Sequence, residues 1–150
     1  MTSQWRINSK IGPLYLSASG KGLRGVSFKK QNLPLARTKL LAQTERELKE
    51  YFLGKRKKFD LPLDLEGTPF QQKVWRELCK IPYGKTVSYK DVAGRIRNAK
   101  AVRAVGTANG KNPLCVIVPC HRVISHDGSL GGYSGGLNIK IKLLGLEGSL

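Results

Sequence analysis

Cys120 stands beside His121 in the run Val118-Pro119-Cys120-His121-Arg122-Val123. Sulfur attacks as thiolate, and a cysteine flanked by a potential base and by Arg122 sits where its pKa could fall. A cysteine close to an apolar run such as Leu114-Cys115-Val116-Ile117-Val118 is also commonly a small buried hydrophobe. Its neighbours weigh against the second reading. Between Asp91 and Asp127 there is no acidic residue, whereas Arg95, Arg97, Lys100, Arg103, Lys111 and Arg122 all fall in that window. The window forms a local basic field around Cys120, of the kind that meets phosphate.

The whole chain carries a formal net charge of +17 over 150 residues, which points to an acidic partner, with nucleic acid the obvious candidate. The excess is shared by both halves. Cys79, Cys115 and Cys120 are odd in number and form no C-x-x-C pair, which reads as a reducing compartment rather than a disulfide framework. His121 and His126 lack the i, i+4 spacing of a helical metal pair, so neither a metal nor a cofactor is expected. No stretch approaches membrane-spanning length, and the expectation is a soluble intracellular protein, cytoplasmic or, in a eukaryote, nuclear.

The elements that must position Cys120 follow from the pattern. Trp5-Arg6-Ile7, Leu14-Tyr15-Leu16 and Leu23 to Phe28, separated by turn residues, predict an antiparallel meander. Asn32 and Pro34 supply start signals for a helix through Leu40, Leu41, Leu48 and Phe52, stopped by Gly54. Phe59 to Gly67 reads as a last short strand or linker, dividing a domain of residues 1–64 from one of residues 65–150. Thr68-Pro69-Phe70-Gln71 is a capping box, and Phe70, Val74, Leu78 and Ile81 recur at helical spacing, with Cys79 assigned to the core. Ser88 caps a second helix that fails near Asn98, and Asn98 is read as the cap of a third, over Ala99 to Ala108. These two short helices make a helix-turn-helix reading reasonable. Gly131-Gly132-Tyr133-Ser134-Gly135-Gly136 is a loop whose glycines let backbone amides approach a ligand. A last helix, Leu137 to Leu146, is expected to pack Leu137, Ile141 and Leu144.

Several of these residues together resemble the O6-alkylguanine-DNA alkyltransferases. The resemblance rests on Ser88-Tyr89, Arg103-Ala104-Val105-Gly106, Asn112-Pro113, Pro119-Cys120-His121-Arg122-Val123, Gly131 with Tyr133-Ser134-Gly135-Gly136-Leu137, and Leu143-Leu144 with Glu147-Gly148, in order across residues 68–148. It implies an α+β protein, with a small N-terminal α/β domain (antiparallel sheet plus helix) before a mainly helical C-terminal domain carrying a winged-helix-like helix-turn-helix. It further implies irreversible single-turnover transfer of an alkyl group from guanine O6, and from thymine O4, to the protein's own cysteine. Cys120 would be the nucleophile, His121 a general base acting through water, and Glu147 its orienting partner. Asn112 would tie down the Cys120 loop, and Tyr89 would donate to the departing guanine. The substrate pocket would be formed by Val123, Cys115, Gly131, Tyr133 and Ser134. Ala101, Arg103, Ala104, Thr107, Ala108, Ser88 and Arg122 would meet double-stranded DNA, with Arg103 filling the stack left by the flipped nucleotide. A monomer is expected, without a membrane partner. Cys115 departs from the proline or other apolar residue common there in the family.

Two other readings stand beside this one. A helix-turn-helix regulator or lesion sensor with a structural cysteine would bind DNA without covalent change. A cysteine hydrolase would use Cys120 and a base but gives the charge no purpose.

Overall fold

The computed structural model describes residues 1–150, whose backbone contacts gather into two units, Met1–Glu66 and Gly67–Leu150. In the first unit, β1 (Ser3–Ser9), β2 (Gly12–Ala18) and β3 (Leu23–Ser27) form an antiparallel sheet in the order β1-β2-β3. Trp5 pairs with Leu16 and Ile7 with Leu14, so alternate residues point to one face and bury Ile7, Leu14 and Leu16. Against β1 and β2 lies α1 (Lys39–Phe52), which contributes Leu41, Leu48, Tyr51 and Phe52 to the core. Each fully buried leucine stabilises the unit by about 2 kcal/mol.

That helix begins later than its sequence signals suggest. Its cap is Thr38, whose hydroxyl accepts from Leu41 N at 3.2 Å. Pro34 instead lies in an extended segment that runs along β1, with Gln4 N donating to Pro34 O and Ala36 N to Gln4 O. The buried Gln4 amide also clamps the segment through Gln31 O and Leu33 O. Long-range hydrogen bonding thus overrode a local start signal. Residues 59–67 form no further strand; only Leu63 makes an isolated bridge, to Leu23.

In the second unit, α2 (Pro69–Leu78) opens with the Thr68 capping box and buries Val74, Trp75 and Leu78. Its end at Leu78 corrects the expectation for Cys79, which becomes the cap residue and is exposed rather than part of the core. Val87–Ser88 (β4) leads into α3 (Tyr89–Arg95), where Ser88 and Asp91 form a second capping box. Arg97, with φ +60°, then closes α3: Asn98 N returns to Ala93 O and Arg97 N to Gly94 O. Asn98 is therefore part of the closing turn and not the cap of the next helix. That helix, α4, spans Val102–Gly110 and starts without a side-chain cap.

The pairing of α3 with α4 is the helix-turn-helix, supported by α2, and the indole of Trp75 donates to Ala108 O at 2.9 Å across the buried face. A two-residue parallel pairing of β4 with β5 (Val123–Ile124) brings the segment after Cys120 beside the start of α3. Finally α5 (Leu137–Leu146) packs Lys140, Leu143 and Leu144 inward; Leu144 is buried as expected, whereas Leu137 and Ile141 are exposed. Gly148, at φ +77°, ends it by letting Ser149 N reach Leu144 O. No helix is long and apolar enough to cross a membrane.

Candidate active site

Cys120 opens a 3-10 turn, Cys120–Arg122, at the end of a loop that doubles back on itself. Asn112 holds both limbs of that loop: its Nδ2 donates to Val118 O at 2.7 Å, and its Oδ1 accepts from Leu114 N at 2.9 Å. Between them Val116 is forced to φ +72°, an unfavourable conformation for a β-branched side chain, costing about 1–3 kcal/mol. The loop is thus held in shape by its surroundings. Asn109 Nδ2 adds a weaker contact to Cys120 O at 3.4 Å.

Directly after Cys120 the side chains turn inward into a sealed polar network. His121 is 0 % exposed and Glu147, the cap residue of α5, is 5 % exposed. His121 Nε2 lies 2.8 Å from Glu147 Oε2, while Arg122 grips the same carboxylate through Nε to Oε1 at 2.7 Å and Nη2 to Oε2 at 3.0 Å. Arg122 Nη1 also donates to Ile81 O at 2.7 Å, and its guanidinium lies 5.7 Å from the centre of the Tyr83 ring. Burial pulls the His121 pKa below its ordinary value against the pull of Glu147, so the imidazole is neutral near pH 7. A neutral ring that donates from Nε2 to a carboxylate presents Nδ1 as an acceptor. Nδ1 is buried and has no partner in the protein.

Arg122 is therefore not a phosphate contact. It is 5 % exposed and committed to Glu147, which corrects its expected place at the DNA face. Nor is the Cys120 pKa lowered in the way its setting beside a base and an arginine suggests. The neighbouring Cys115 thiol, with burial, pushes the Cys120 thiol above its ordinary range, while beside Cys120 the Cys115 thiol is drawn down to about 7. The first proton leaves this pair readily and the second with difficulty.

Around the two sulfurs stand the remaining candidates. Cys115 Sγ is 3.8 Å from Ser134 Oγ and close to the Tyr133 hydroxyl. Tyr89, the first residue of α3, is half-buried, and burial followed by the neighbouring Cys120 raises its pKa, keeping the phenol protonated. Its hydroxyl lies against Gly131, where a Cβ would come within 2.9 Å of it; with φ at +71°, that position admits only glycine comfortably. Val123 is buried in β5, and its carbonyl accepts from Lys140.

Lys140 is the residue the sequence reading missed. Fully buried on α5, its ammonium donates to Val123 O at 2.7 Å, to Gly132 O at 3.0 Å and to Leu130 O. It binds the strand after Cys120 to the glycine-rich loop. Burial pulls its pKa down to about 8, leaving it charged at neutral pH. A signal for it existed: Lys140, Leu143, Leu144 and Glu147 recur at i, i+3, i+4 and i+7.

On α4, Arg103, Ala104 and Thr107 are exposed and Ala101 is half-buried. Ala108 is buried at 3 % exposure with its carbonyl bonded to Trp75, which removes it from the expected DNA face. Ser88 uses its hydroxyl to cap α3. No group of three or more His, Cys, Asp or Glu side chains converges to hold a metal ion.

Known proteins match this chain over most of its length. The family model for the 6-O-methylguanine DNA methyltransferase DNA binding domain covers residues 69–149, and that for the ribonuclease-like domain of the same family covers residues 6–65. A methylated-DNA--protein-cysteine methyltransferase of Methanosarcina barkeri is 47% identical over 148 residues, 94% of each chain. A constitutive enzyme of the same name from Bacillus subtilis is 52% identical over 118 residues, 78% of this chain and 72% of its own. The crystal structure of Mycobacterium tuberculosis OGT in complex with DNA superposes with a TM-score of 0.89 at 46% identity, covering 96% of this chain and 91% of that one.

Proposed function

The chain belongs to the 6-O-methylguanine DNA methyltransferase family, and from that premise we propose the route by which its side chains carry the reaction. The protein repairs DNA directly: it moves an alkyl group from guanine O6 onto its own cysteine, one turnover for each molecule. The acceptor is Cys120. A duplex bearing O6-alkylguanine binds along α4, the damaged nucleotide swings out of the stack, and Arg103 takes its place while Ala104 and Thr107 allow close approach. The base then enters the pocket formed by Tyr89, Cys115, Val123 and the Gly131 to Ser134 loop.

The thiol of Cys120 rests protonated, so its proton must leave as the sulfur attacks. His121 Nδ1 takes that proton through one bridging water, while Glu147 holds Nε2–H and balances the imidazolium that forms. The sulfur lone pair forms the S–C bond as the C–O6 bond breaks, and the bonding pair moves onto the guanine. Tyr89 delivers a proton to the ring, so that guanine departs neutral. Ser134 addresses O6 from the opposite side through its backbone amide, and Asn112 keeps the Cys120 loop in register. The thioether product is not returned to thiol, which makes the transfer stoichiometric. The protein works as a monomer where the cell keeps its DNA, in the cytoplasm of a prokaryote.

One observation supports this reading above the others: the neutral His121 ring is pinned by Glu147 at one nitrogen and left with an unpartnered buried acceptor at the other. The test is the intact mass after mixing with a duplex containing one O6-methylguanine. Gain of one methyl on the peptide holding Cys120, absent in Cys120→Ala, is the expected result. An unchanged mass with tight lesion binding makes the protein a sensor instead.

A further inference from the structure

Cys115 and Cys120 lie on one small loop, and its backbone bonds turn the chain back on itself between them. Val118 N returns to Leu114 O at 2.9 Å, Ile117 N to Cys115 O at 2.8 Å and Cys120 N to Val118 O at 2.8 Å, so the chain reverses between the two cysteines. Asn112 braces both ends of the reversal. Both side chains are buried, at 4 % and 2 % exposure, and each thiol shifts the titration of the other. The third cysteine, Cys79, is exposed on another element. The pocket proposed to take a purine would also take a small oxidant.

We propose that Cys115 and Cys120 form an oxidation site for peroxides, closing a disulfide that stores the acceptor sulfur in a reversible, non-transferring form. The proposal rests on the reading of Cys120 as the alkyl acceptor. One cysteine of the pair, as thiolate, attacks a peroxide oxygen; the O–O bond breaks, giving a sulfenic acid and releasing hydroxide or alkoxide. The second sulfur attacks the sulfenic sulfur, the S–S bond forms, and the hydroxyl leaves with the second proton as water. For hydrogen peroxide the sum is two thiols plus peroxide giving one disulfide and two waters. A thiol reductant restores both thiols through a mixed disulfide. Without Cys115 the same oxidant carries Cys120 onward to sulfinic acid, which thiols do not reduce, and a protein used once per molecule is lost without repairing anything.

The full chain is treated with hydrogen peroxide, quenched, and the peptide Asn112 to Arg122, which holds both cysteines, is weighed without reduction. The expected wild-type result is loss of two hydrogens with no oxygen gained, refusal of a thiol-alkylating reagent on that peptide while Cys79 still accepts it, and alkyl transfer that is abolished and then restored by dithiothreitol. Cys115→Ser and Cys115→Ala, each compared with its own untreated sample and checked for fold by circular dichroism, gain oxygen on Cys120 and do not recover. A wild-type peptide that gains oxygen without losing hydrogen overturns the proposal, as does equal recovery in wild type and variants. The mass readout needs no alkyl transfer. A disulfide formed in a protein that never accepts an alkyl group therefore leaves the pair standing and strikes only the reading of Cys120 as acceptor.

Discussion

Two carboxylates are sealed inside this protein, and they end in networks of opposite kind. Glu47, on α1, is 1 % exposed and fully occupied: it accepts from Gln43 Nε2 and Asp60 N, each at 2.8 Å, and lies 3.4 Å from Arg56 Nη1. The Asp60 hydrogen bond and the Arg56 ion pair fasten the chain after α1 back onto the helix. Glu147 is as well held, by Arg122 on two sides, but its third contact passes to His121, whose far nitrogen has no protein partner. A closed network holds a fold together, whereas one that ends on an unpaired acceptor beside a reactive atom is built to take a proton.

Removing the open end has the largest effect. His121→Phe keeps the Glu147 and Arg122 pair and fills the space, yet it lowers the single-turnover transfer rate by about 10²–10⁴-fold, the usual contribution of a positioned base. Stopped-flow quenching with lesion duplex reads that loss. Next comes Lys140→Met, which strips three carbonyls of a charged donor and loosens the glycine-rich loop; a stability loss of about 3 kcal/mol is expected in urea unfolding. Glu47→Ala costs about 2 kcal/mol by the same measurement and leaves the transfer rate of the folded protein unchanged. If that variant slows transfer, the distinction between the two networks fails.

The smallest effect is on pH. The folded His121 pKa lies below the ordinary value of about 6.5, so at acid pH the unfolded chain binds a proton that the folded chain refuses. Stability contributed by this residue is complete above that ordinary value and declines as pH falls through it toward the folded value. Melting temperature should therefore drop more between neutral and mildly acid pH in the wild type than in His121→Phe.

The comparison also explains what the sequence could and could not say. The capping boxes at Thr68 and Ser88 and the three-stranded meander are local patterns, and each is where its pattern put it. Arg122 was misread because a positive charge in a basic window looks solvent-facing until its partner is known, and that partner lies on the cap of α5, twenty-five residues away. Lys140 was passed over for the same reason, a charge on an apolar stripe whose acceptors are main-chain carbonyls from other segments. The start of α1 failed differently: Pro34 is a good local start signal, but β1 offered its segment better hydrogen bonds.

The most direct measurement sets the two carboxylates side by side: single-turnover methyl transfer from an O6-methylguanine duplex by Glu147→Gln and Glu47→Gln, each corrected for its folded fraction by circular dichroism. The account predicts a loss of about a hundredfold or more for Glu147→Gln, with the residual methyl still on Cys120, and an unaltered rate for Glu47→Gln. Equal rates in the two variants would contradict it.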